Sequence, residues 1–419
     1  MDALKAIVIV LDGLGDRPAA VLGNRTPLEN AATPHLDQAA KRGINGLLHP
    51  LSGWLPVGTQ VGMGLLLGLP PSDVHLLNRG PVEAAGAGIS LQNGDVALRC
   101  NFATLAKEEP SFSIVNRRAG RIKEKREDLR DVLNGIDLGN GITSRFELTT
   151  GHRGVLVLSG PGLSHRISDT DPGAGYESKG VLWCTPLIPE AATTAQAINT
   201  FIARSHQILD AHPVNEERRA NGLMPANGML TRGAGYVSTL RNQLQHLGLQ
   251  TALVTGERTA LGLARLFGFT AIHKPSFTAT SETDIAGKVT ATLEATSNHD
   301  IVFLHIKAPD IFSHDGDPKG KSDFLEHIDK HLEPLLNSGH VVGITGDHSS
   351  DSTLQRHVGD PVPTTLLAPH SRKDNVEQLS ESACITGALG QLSATAFITA
   401  ILDHMNRLPN YSTQDYLFP

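Results

Sequence analysis

The segment between positions 305 and 357 contains Asp and His residues that follow apolar runs. These residues constrain the fold more than any other feature of the chain. Asp310 and His314 are four residues apart, so a turn or short helix would place them on one face. Asp347 and His348 follow a short apolar run that is typical of a buried strand. Such a strand would carry both side chains to the carboxyl edge of an open α/β sheet, where these sheets keep their ligand sites.

A strand at the start of the chain supports a metal site at that edge. The run AIVIVL at Ala6–Leu11 predicts a buried parallel strand that ends at Asp12. Mixed Asp and His ligation suits Mn, Zn or Co better than Ca, which takes oxygen ligands only. The candidate ligands are Asp12, Asp310, His314, Asp347, His348 and His357. The alternative is ordinary polar loops, because the chain contains 19 His and Asp-Gly pairs are frequent in turns.

The segment LPVGTQVGMGLLLGLPP offers a candidate nucleophile, Thr59. The small and apolar residues that follow it predict a short buried helix, and the backbone N–H groups at a helix N-terminus attract phosphate. A nearby metal ion would lower the pKa of the hydroxyl. The alternative is that Thr59 only caps the helix.

Composition limits the class of protein and its partners. A chain of 419 residues is long enough for two domains, or for one large domain with an insertion. The net charge of −7 argues against a nucleic-acid partner, although local arginines and metals would still attract an anionic substrate. Cys100, Cys184 and Cys384 lack CxxC spacing, which fits a reducing cytoplasm. We also find no signal peptide and no apolar run of membrane-spanning length, so we expect a cytoplasmic protein.

Strands alternate with helices at both ends of the chain, which predicts an α/β fold with a doubly wound, mostly parallel sheet. The composition shifts at about residue 106, and the α/β rhythm returns after about residue 214. We therefore predict a metal-binding core formed by residues 1–105 and 215–419. The predicted insertion, 106–214, is a smaller α+β domain that binds the substrate.

The predicted insertion contains the arginine-rich segment NRRAGR. Arg117, Arg118 and Arg121 lie within five residues, with small residues between them, and would form a fork for a carboxylate or phosphate. The alternative is a solvated helix face, because acidic residues are interleaved with the basic residues that follow. Weaker candidates for substrate binding are Arg99, His152, Arg153 and Asp171.

Several ordered motifs give the chain a resemblance to a known family. They include IVLDGLGDRP, NRGPVEAAGAGI, GDVALRCNFATL, NRRAGR, SDTDP, PANGMLTRGAG, LHIKAPDIFSHDGD and GDHSSDS. Over nearly its whole length the chain resembles the archaeal-type cofactor-independent phosphoglycerate mutases of the alkaline phosphatase superfamily. The resemblance implies an alkaline phosphatase-like core with an inserted domain that closes over the substrate.

The resemblance also implies a two-metal site and a small phosphorylated substrate. One metal ion would be held by Asp12, Asp347, His348 and the nucleophile, and the other by Asp310, His314 and His357. Manganese is the expected metal, with Zn, Mg and Co as alternatives. The implied enzyme is a glycolytic isomerase that interconverts 3-phosphoglycerate and 2-phosphoglycerate through a phosphoenzyme.

The nucleophile position departs from the family pattern. Family members resemble PGSDTAH where this chain reads VGTQVGM, so Thr59 stands in place of Ser and Gln60 in place of Asp. Three hypotheses remain open. The first is a mutase with a phosphothreonine at Thr59, and the second is a metal-dependent hydrolase or other transferase of phosphate or phosphonate esters. The third is a catalytically inactive, metal-stabilised binding protein.

Overall fold

The computed structural model describes residues 4–108, 111–149, 151–173, 175–236, 240 and 242–408. Its contacts divide the chain into two compact units. We call Met1–Leu77 with Leu240–Pro419 the core unit, and Asn78–Thr239 the inserted unit.

Short strands and helices alternate along the chain. The strands are β1 (Ala6–Leu11), β2 (Ile44–His49), β3 (Val96–Glu108), β4 (Ser111–Asn116), β5 (Thr143–Leu148), β6 (Arg153–Ser159), β7 (Gly228–Gly235), β8 (Thr251–Val254), β9 (Thr270–Ile272), β10 (Ile301–Ile306), β11 (Val341–Thr345), β12 (Ser349–Asp351), β13 (Arg356–Val358), β14 (Val362–Leu367) and β15 (Gly390–Ser393).

The α-helices are α1 (Pro27–Asn30), α2 (Pro34–Arg42), α3 (Thr59–Leu66), α4 (Arg79–Gly86), α5 (Arg126–Asp131), α6 (Ala192–Asp210), α7 (Pro213–Ala220), α8 (Gln243–His246), α9 (Arg258–Leu266), α10 (Ile285–Ala295), α11 (Ala308–Asp315), α12 (Pro318–Leu336) and α13 (Ala394–His404). Short 3-10 helices lie at Ala20–Leu22, Pro71–Leu76, Ala119–Arg121, Glu177–Lys179, Pro189–Ala191 and Ala383–Thr386.

The core unit is built on a sheet with the strand order β15-β2-β14-β11-β1-β10-β8-β9. Among the described residues, every pairing in this sheet is parallel except the two made by β14. Helix α12 contacts α2 and α10, whereas α3 contacts α9 and α13, so the helices form two groups. The prediction of a doubly wound, mostly parallel α/β sheet is confirmed.

The central strand of this sheet positions the functional residues. Every residue of β1 is inaccessible to solvent, as its continuous apolar run predicts. In β1, Leu11 lies opposite Ile306 of β10, and Val10 lies opposite Thr345 of β11. Because the three parallel strands end at the same level, the residues that follow them meet at one edge of the sheet.

Short elements near this edge carry three of the candidate ligands, Asp310, His314 and His357. Asp310 and His314 lie on α11, which confirms the prediction of a short helix. His357 lies on β13, which pairs with β12 in a small hairpin. Helix α12 begins at Pro318, and its N-cap is Asp317, whose carboxylate accepts a bond from the Gly320 N–H.

The inserted unit is a separate α+β structure. Strand β3 pairs with β4, β6 and β7, and β5 pairs with β6, all antiparallel. Helix α4 packs against β3 and β7, and α6 packs against β7. The predicted limits of 106–214 are therefore wrong, because residue 106 lies inside β3, and α4 and β7 belong to the same structure. The chain's composition changes within this unit rather than at its edges.

Two further predictions concern the whole chain. No helix among the described residues is both long enough and apolar enough to cross a membrane. The three cysteines are free thiols, and all are buried.

Candidate metal centre

Residues from three neighbouring strand ends meet at the carboxyl edge of the core sheet. Asp12 follows β1, Asp310 lies at the start of α11 after β10, and Asp347 and His348 follow β11. All four side chains are buried, with at most 2% of each residue exposed. Three carboxylates are thus gathered in the interior, where only cations, metal ions or hydrogen-bond donors stabilise them.

Thr59 lies within this group. It is the first residue of α3, and the N-cap is Gly58, so the alternative that Thr59 is only a helix cap is wrong. Its Oγ1 lies 3.3 Å from Asp12 Oδ2 and 3.4 Å from His348 Nε2. A hydroxyl at a helix N-terminus is thereby placed beside a carboxylate and an imidazole.

The aspartate and histidine side chains form two overlapping sets. Potential ligand atoms lie within 4.8 Å of one another in Asp12, Asp347 and His348, and again in Asp310, His348 and His357. His348 thus belongs to both sets, whereas the resemblance implied that it serves only the first. His314 adjoins the second set, because its Nε2 lies 3.0 Å from His357 Nε2 and 3.5 Å from Asp310 Oδ2.

Glycine permits the close approach of the segments that carry these residues. A Cβ on Gly62 of α3 would lie 2.0 Å from the carbonyl oxygen of Asp347. Gly13 has a φ of +64°, and a Cβ there would lie 2.9 Å from the Cβ of Asp310. Any larger residue at either position would push apart side chains of the cluster.

Two cluster residues escaped the sequence analysis. The Lys307 ammonium donates to Asp12 Oδ1 at 2.9 Å, to Thr59 Oγ1 at 2.9 Å and to Asp310 Oδ2 at 2.6 Å. The His305 imidazole lies with Nε2 2.9 Å from Asp12 Oδ2. Both belong to the HIK motif at the end of β10, and this position beside a strand end is the signal by which they could have been identified.

Opposing charges determine how these groups titrate. Burial raises the pKa of Asp12, but the Lys307 ammonium and the His305 hydrogen bond outweigh burial and hold that pKa well below its usual range. Burial and the charge of Asp12 raise the pKa of Asp347 to about 6. Burial lowers the pKa of His348, but the neighbouring carboxylates outweigh it and raise the value to about 9.

The donor set fits divalent metal ions. Asp347 Oδ1 accepts a hydrogen bond from the Gly13 N–H at 3.1 Å, but the buried Oδ2 has no hydrogen-bond partner among the described residues. A buried carboxylate oxygen without a donor is costly unless a cation binds it. Carboxylate oxygens mixed with imidazole nitrogens are ligands that Mn, Zn and Co accept.

Gln60, the second departure from the family pattern, has a structural partner. Its Nε2 donates to the carbonyl oxygen of Leu77 at 2.6 Å. Leu77 is the last residue of the core unit before the chain enters the inserted unit. The Gln60 amide therefore holds the chain at the point where it leaves the core unit.

The inserted unit holds a second cluster, which is cationic. Arg117 makes a bidentate ion pair with the buried Asp171, with distances of 2.6 and 2.7 Å. The guanidinium of Arg117 thus has a carboxylate partner within its own unit. Arg118 and Arg121 are exposed on a turn in which Ala119, Gly120 and Arg121 all have positive φ.

The centre of this cationic cluster is a sheet position where like charges face each other. Arg99 of β3 lies directly opposite Arg232 of β7, an arrangement that destabilises a sheet unless an anion joins it. Arg99 Nη1 lies 3.1 Å from Glu83 Oε1, but its buried Nε has no hydrogen-bond partner among the described residues. Burial lowers the pKa of Arg99 to about 9, and the charges of Arg79 and Arg153 act in the same direction.

The charges of these arginines shift the pKa of His152. Burial, together with the charges of Arg153 and Arg118, lowers its pKa to about 4. The structure thus brings Arg99, Arg118, Arg121, His152 and Arg153 into one electrostatic group. Arg79 and Arg232 belong to the same group, although the sequence did not single them out.

Comparisons with known proteins agree with these features. The profile of the family described as 2,3-bisphosphoglycerate-independent phosphoglycerate mutase matches residues 40–215. A protein of that name from Ignicoccus hospitalis is 40% identical in an alignment 419 positions long, which covers 98% of this chain and 100% of the relative. One from Thermoplasma volcanium is 39% identical over 393 residues, 93% of this chain and 94% of the relative.

Solved structures show the same likeness. A cofactor-independent phosphoglycerate mutase from Thermoplasma acidophilum is 34% identical and superposes with a TM-score of 0.70, covering 96% of this chain and 99% of that one. A protein from Pyrococcus horikoshii is 28% identical with a TM-score of 0.83, covering 98% of this chain and 100% of that one.

Proposed function

Because the chain belongs to the 2,3-bisphosphoglycerate-independent phosphoglycerate mutase family, we propose that it interconverts 3-phosphoglycerate and 2-phosphoglycerate through a phosphothreonine at Thr59. The observation that carries this proposal is the position of the Thr59 hydroxyl. It lies at a helix N-terminus, 3.3 Å from Asp12 Oδ2 and within reach of the Lys307 ammonium. A nucleophile needs such neighbours, because a free threonine hydroxyl is a weak one.

The side chains around Thr59 support two successive transfers. Thr59 Oγ1 would lose its proton and form a bond to the substrate phosphorus, while the bond to the departing glycerate oxygen breaks and that oxygen gains a proton. Asp12 and His348 are placed near the hydroxyl proton, and Lys307 would hold Oγ1 in line with the phosphorus. In the second transfer, the other glycerate hydroxyl would take the phosphoryl group back and free Thr59.

Two divalent metal ions complete the proposed site. Asp12, Asp347, His348 and Thr59 would hold one ion, and Asp310, His314 and His357 would hold the other. When bound, such ions lower the pKa of a hydroxyl and neutralise charge on a transferring phosphoryl group. Manganese suits the mixed ligands, with Zn, Co and Mg as alternatives.

The inserted unit would act as the substrate-binding domain. The buried Arg99 and the half-buried Arg232 face each other across β3 and β7, and such a like-charge pair favours a bound anion. The carboxylate of phosphoglycerate is such an anion, and a planar guanidinium binds it in bidentate fashion. Holding the glycerate between the two transfers would also keep water from the phosphothreonine.

A hydrolase remains the second candidate function, and one observation favours it. Thr59 and Gln60 replace the Ser-Asp pair that the family pattern contains, and Gln60 is engaged with Leu77. The same phosphothreonine would then pass its phosphoryl group to water and release inorganic phosphate. The two functions share the first transfer and differ only in the acceptor of the second.

Trapping the intermediate tests the proposal. Purified protein is incubated with 3-phosphoglycerate and Mn²⁺, quenched in acid, digested, and analysed by mass spectrometry. We expect one phosphoryl group on the peptide that contains Thr59, and none when Thr59→Val protein is treated in the same way. A phosphoryl group on another residue, or none under turnover, would contradict the covalent mechanism.

A further inference from the structure

His305 offers no free ring nitrogen to a metal ion. Its ring lies at the end of β10 and is fully buried, like Asp12, to which its Nε2 is directed at 2.9 Å. Its Nδ1 lies 2.9 Å from the Oγ1 of Thr255, another fully buried residue. Both ring nitrogens are therefore occupied by protein groups, so the residue acts on the centre only through Asp12.

The hydrogen bonds around His305 determine which nitrogen carries the proton. Thr255 Oγ1 accepts from the Glu257 N–H at 3.1 Å, so its own hydroxyl hydrogen is available to His305 Nδ1. An ionised Asp12 carboxylate only accepts, so His305 Nε2 must donate. The chain runs from the Glu257 amide through the Thr255 hydroxyl and the imidazole to Asp12 Oδ2.

The other oxygen of Asp12, Oδ1, faces Lys307 and His348, whereas Thr59 Oγ1 lies 3.3 Å from Oδ2 and 3.5 Å from Oδ1. Oδ1 lies 2.9 Å from Lys307 Nζ and 3.3 Å from His348 Nε2. A carboxylate that is fixed through one oxygen presents the other in a defined direction. Groups that hydrogen-bond to metal ligands set ligand orientation, and their loss costs about 10–100-fold in metal affinity.

We infer that His305 and Thr255 form a positioning pair that orients Asp12 as a metal ligand, by fixing the His305 proton on Nε2. This inference rests on the proposed two-metal function. Neither residue touches the substrate, so both are positioning residues rather than catalytic ones.

Four variants and one control separate positioning from packing. His305→Phe keeps a ring without a donor, whereas His305→Gln keeps an N–H near the position of Nε2. Thr255→Val removes the hydroxyl and retains the shape, whereas Thr255→Ser retains the hydroxyl. Thr292→Val is the matched control, because among the described residues its buried hydroxyl bonds only to the Lys288 carbonyl of its own helix.

Mn²⁺ affinity, measured by titration calorimetry on each folded protein, is the principal readout. We expect His305→Phe to weaken the tighter Mn²⁺ site by about 10–100-fold, and His305→Gln to restore most of the loss. Thr255→Val should weaken it by about tenfold, and Thr255→Ser should restore it. With 3-phosphoglycerate, kcat should fall in the weakened variants while KM changes little, and Thr292→Val should match the unaltered protein.

The outcomes distinguish this inference from the proposed function. If the unaltered protein binds Mn²⁺ and makes 2-phosphoglycerate, but Phe and Gln at position 305 behave alike, the positioning role is overturned and the function stands. If the unaltered protein binds none of Mn²⁺, Zn²⁺, Co²⁺ and Mg²⁺, both are overturned. Should His305→Phe fail to fold, the Val and Ser variants of Thr255 decide, since equal affinities in that pair would refute the inference.

Discussion

The carboxylate cluster of the core unit and the arginine cluster of the inserted unit are assembled in opposite ways. In the core, each acidic residue lies beyond the end of a parallel strand, and one edge of the sheet collects them. In the inserted unit, Arg99 and Arg232 lie within paired antiparallel strands, where neighbouring side chains share a face. The first arrangement gathers carboxylates and imidazoles, which suit cations, and the second gathers guanidinium groups, which suit anions.

The two clusters also differ in how their charges are neutralised. The core cluster contains its own counter-charge, because Lys307 bonds to Asp12 and Asp310. The arginine cluster has Glu83 beside Arg99 as a counter-charge. Each cluster nevertheless keeps a buried polar atom without a hydrogen-bond partner among the described residues, Asp347 Oδ2 in the core unit and Arg99 Nε in the inserted unit. We therefore expect a cation to stabilise the first cluster and an anion to stabilise the second.

The largest expected effect follows from changes at Thr59 in the core cluster. Thr59→Val removes the hydroxyl with almost no change in shape, so turnover should fall by roughly 10³-fold or more, as losses of a nucleophile do. Thr59→Ser should retain turnover because it retains the hydroxyl. Initial rates with 3-phosphoglycerate measure both. Substantial turnover by Thr59→Val would mean that the hydroxyl is not the nucleophile.

Metal affinity should depend on the core cluster alone. His314 is 44% exposed at its side chain, so His314→Ala should fold normally yet weaken at least one Mn²⁺ by roughly 100-fold. His327→Ala, an exposed histidine on α12, is the control and should bind Mn²⁺ like the unaltered protein. Elemental analysis measures the number of bound ions, and calorimetry measures the affinity of each site. Equal binding by the two variants would remove His314 from the ligand set.

A change in the arginine cluster should weaken substrate binding and at the same time raise the stability of the protein without ligand. Arg232→Met removes one partner of the like-charge pair with Arg99, so KM for phosphoglycerate should rise about tenfold. Without ligand, the same change should raise stability by up to about 1 kcal/mol, because repulsion across the strands is lost. Kinetics and thermal melting measure the two effects. Arg130→Lys, at a half-buried position on α5, is the control.

The smallest expected effect is a shift in the titration of His152. Its pKa of about 4 reflects burial and the surrounding arginines, so the ring is neutral at pH 7. A bound anion offsets the arginine charges and favours the protonated ring, so the pKa should move upward on saturation with phosphoglycerate. NMR titration of the imidazole signals measures this shift. An unchanged His152 pKa in the complex would place the anion elsewhere.

Sequence patterns predicted the core well because strand ends are local features. Apolar runs located β1, β10 and β11, and the polar residues after them were correctly expected to meet. Lys307 was missed, although it lies three residues before Asp310. Nothing local indicates that its ammonium reaches back to Asp12 and Thr59, since both partners are distant in sequence.

The inserted unit was predicted less well because its cluster depends on long-range pairing. Arg99 and Arg232 meet only when β3 and β7 pair, and no periodicity near either residue announces that contact. The segment NRRAGR was predicted to bind the substrate, but its Arg117 is paired with Asp171. The boundary at 106 failed for the same reason, since it divides a strand whose partners were not visible in the sequence.

Product analysis by phosphorus NMR tests the central claim most directly. The protein is loaded with Mn²⁺, 3-phosphoglycerate is added, and the spectra are followed over time. The account predicts that the 2-phosphoglycerate signal grows to a fixed ratio with 3-phosphoglycerate, while inorganic phosphate stays at its starting level. Steady release of inorganic phosphate without 2-phosphoglycerate would contradict the mutase function and identify the Thr59 site as that of a hydrolase.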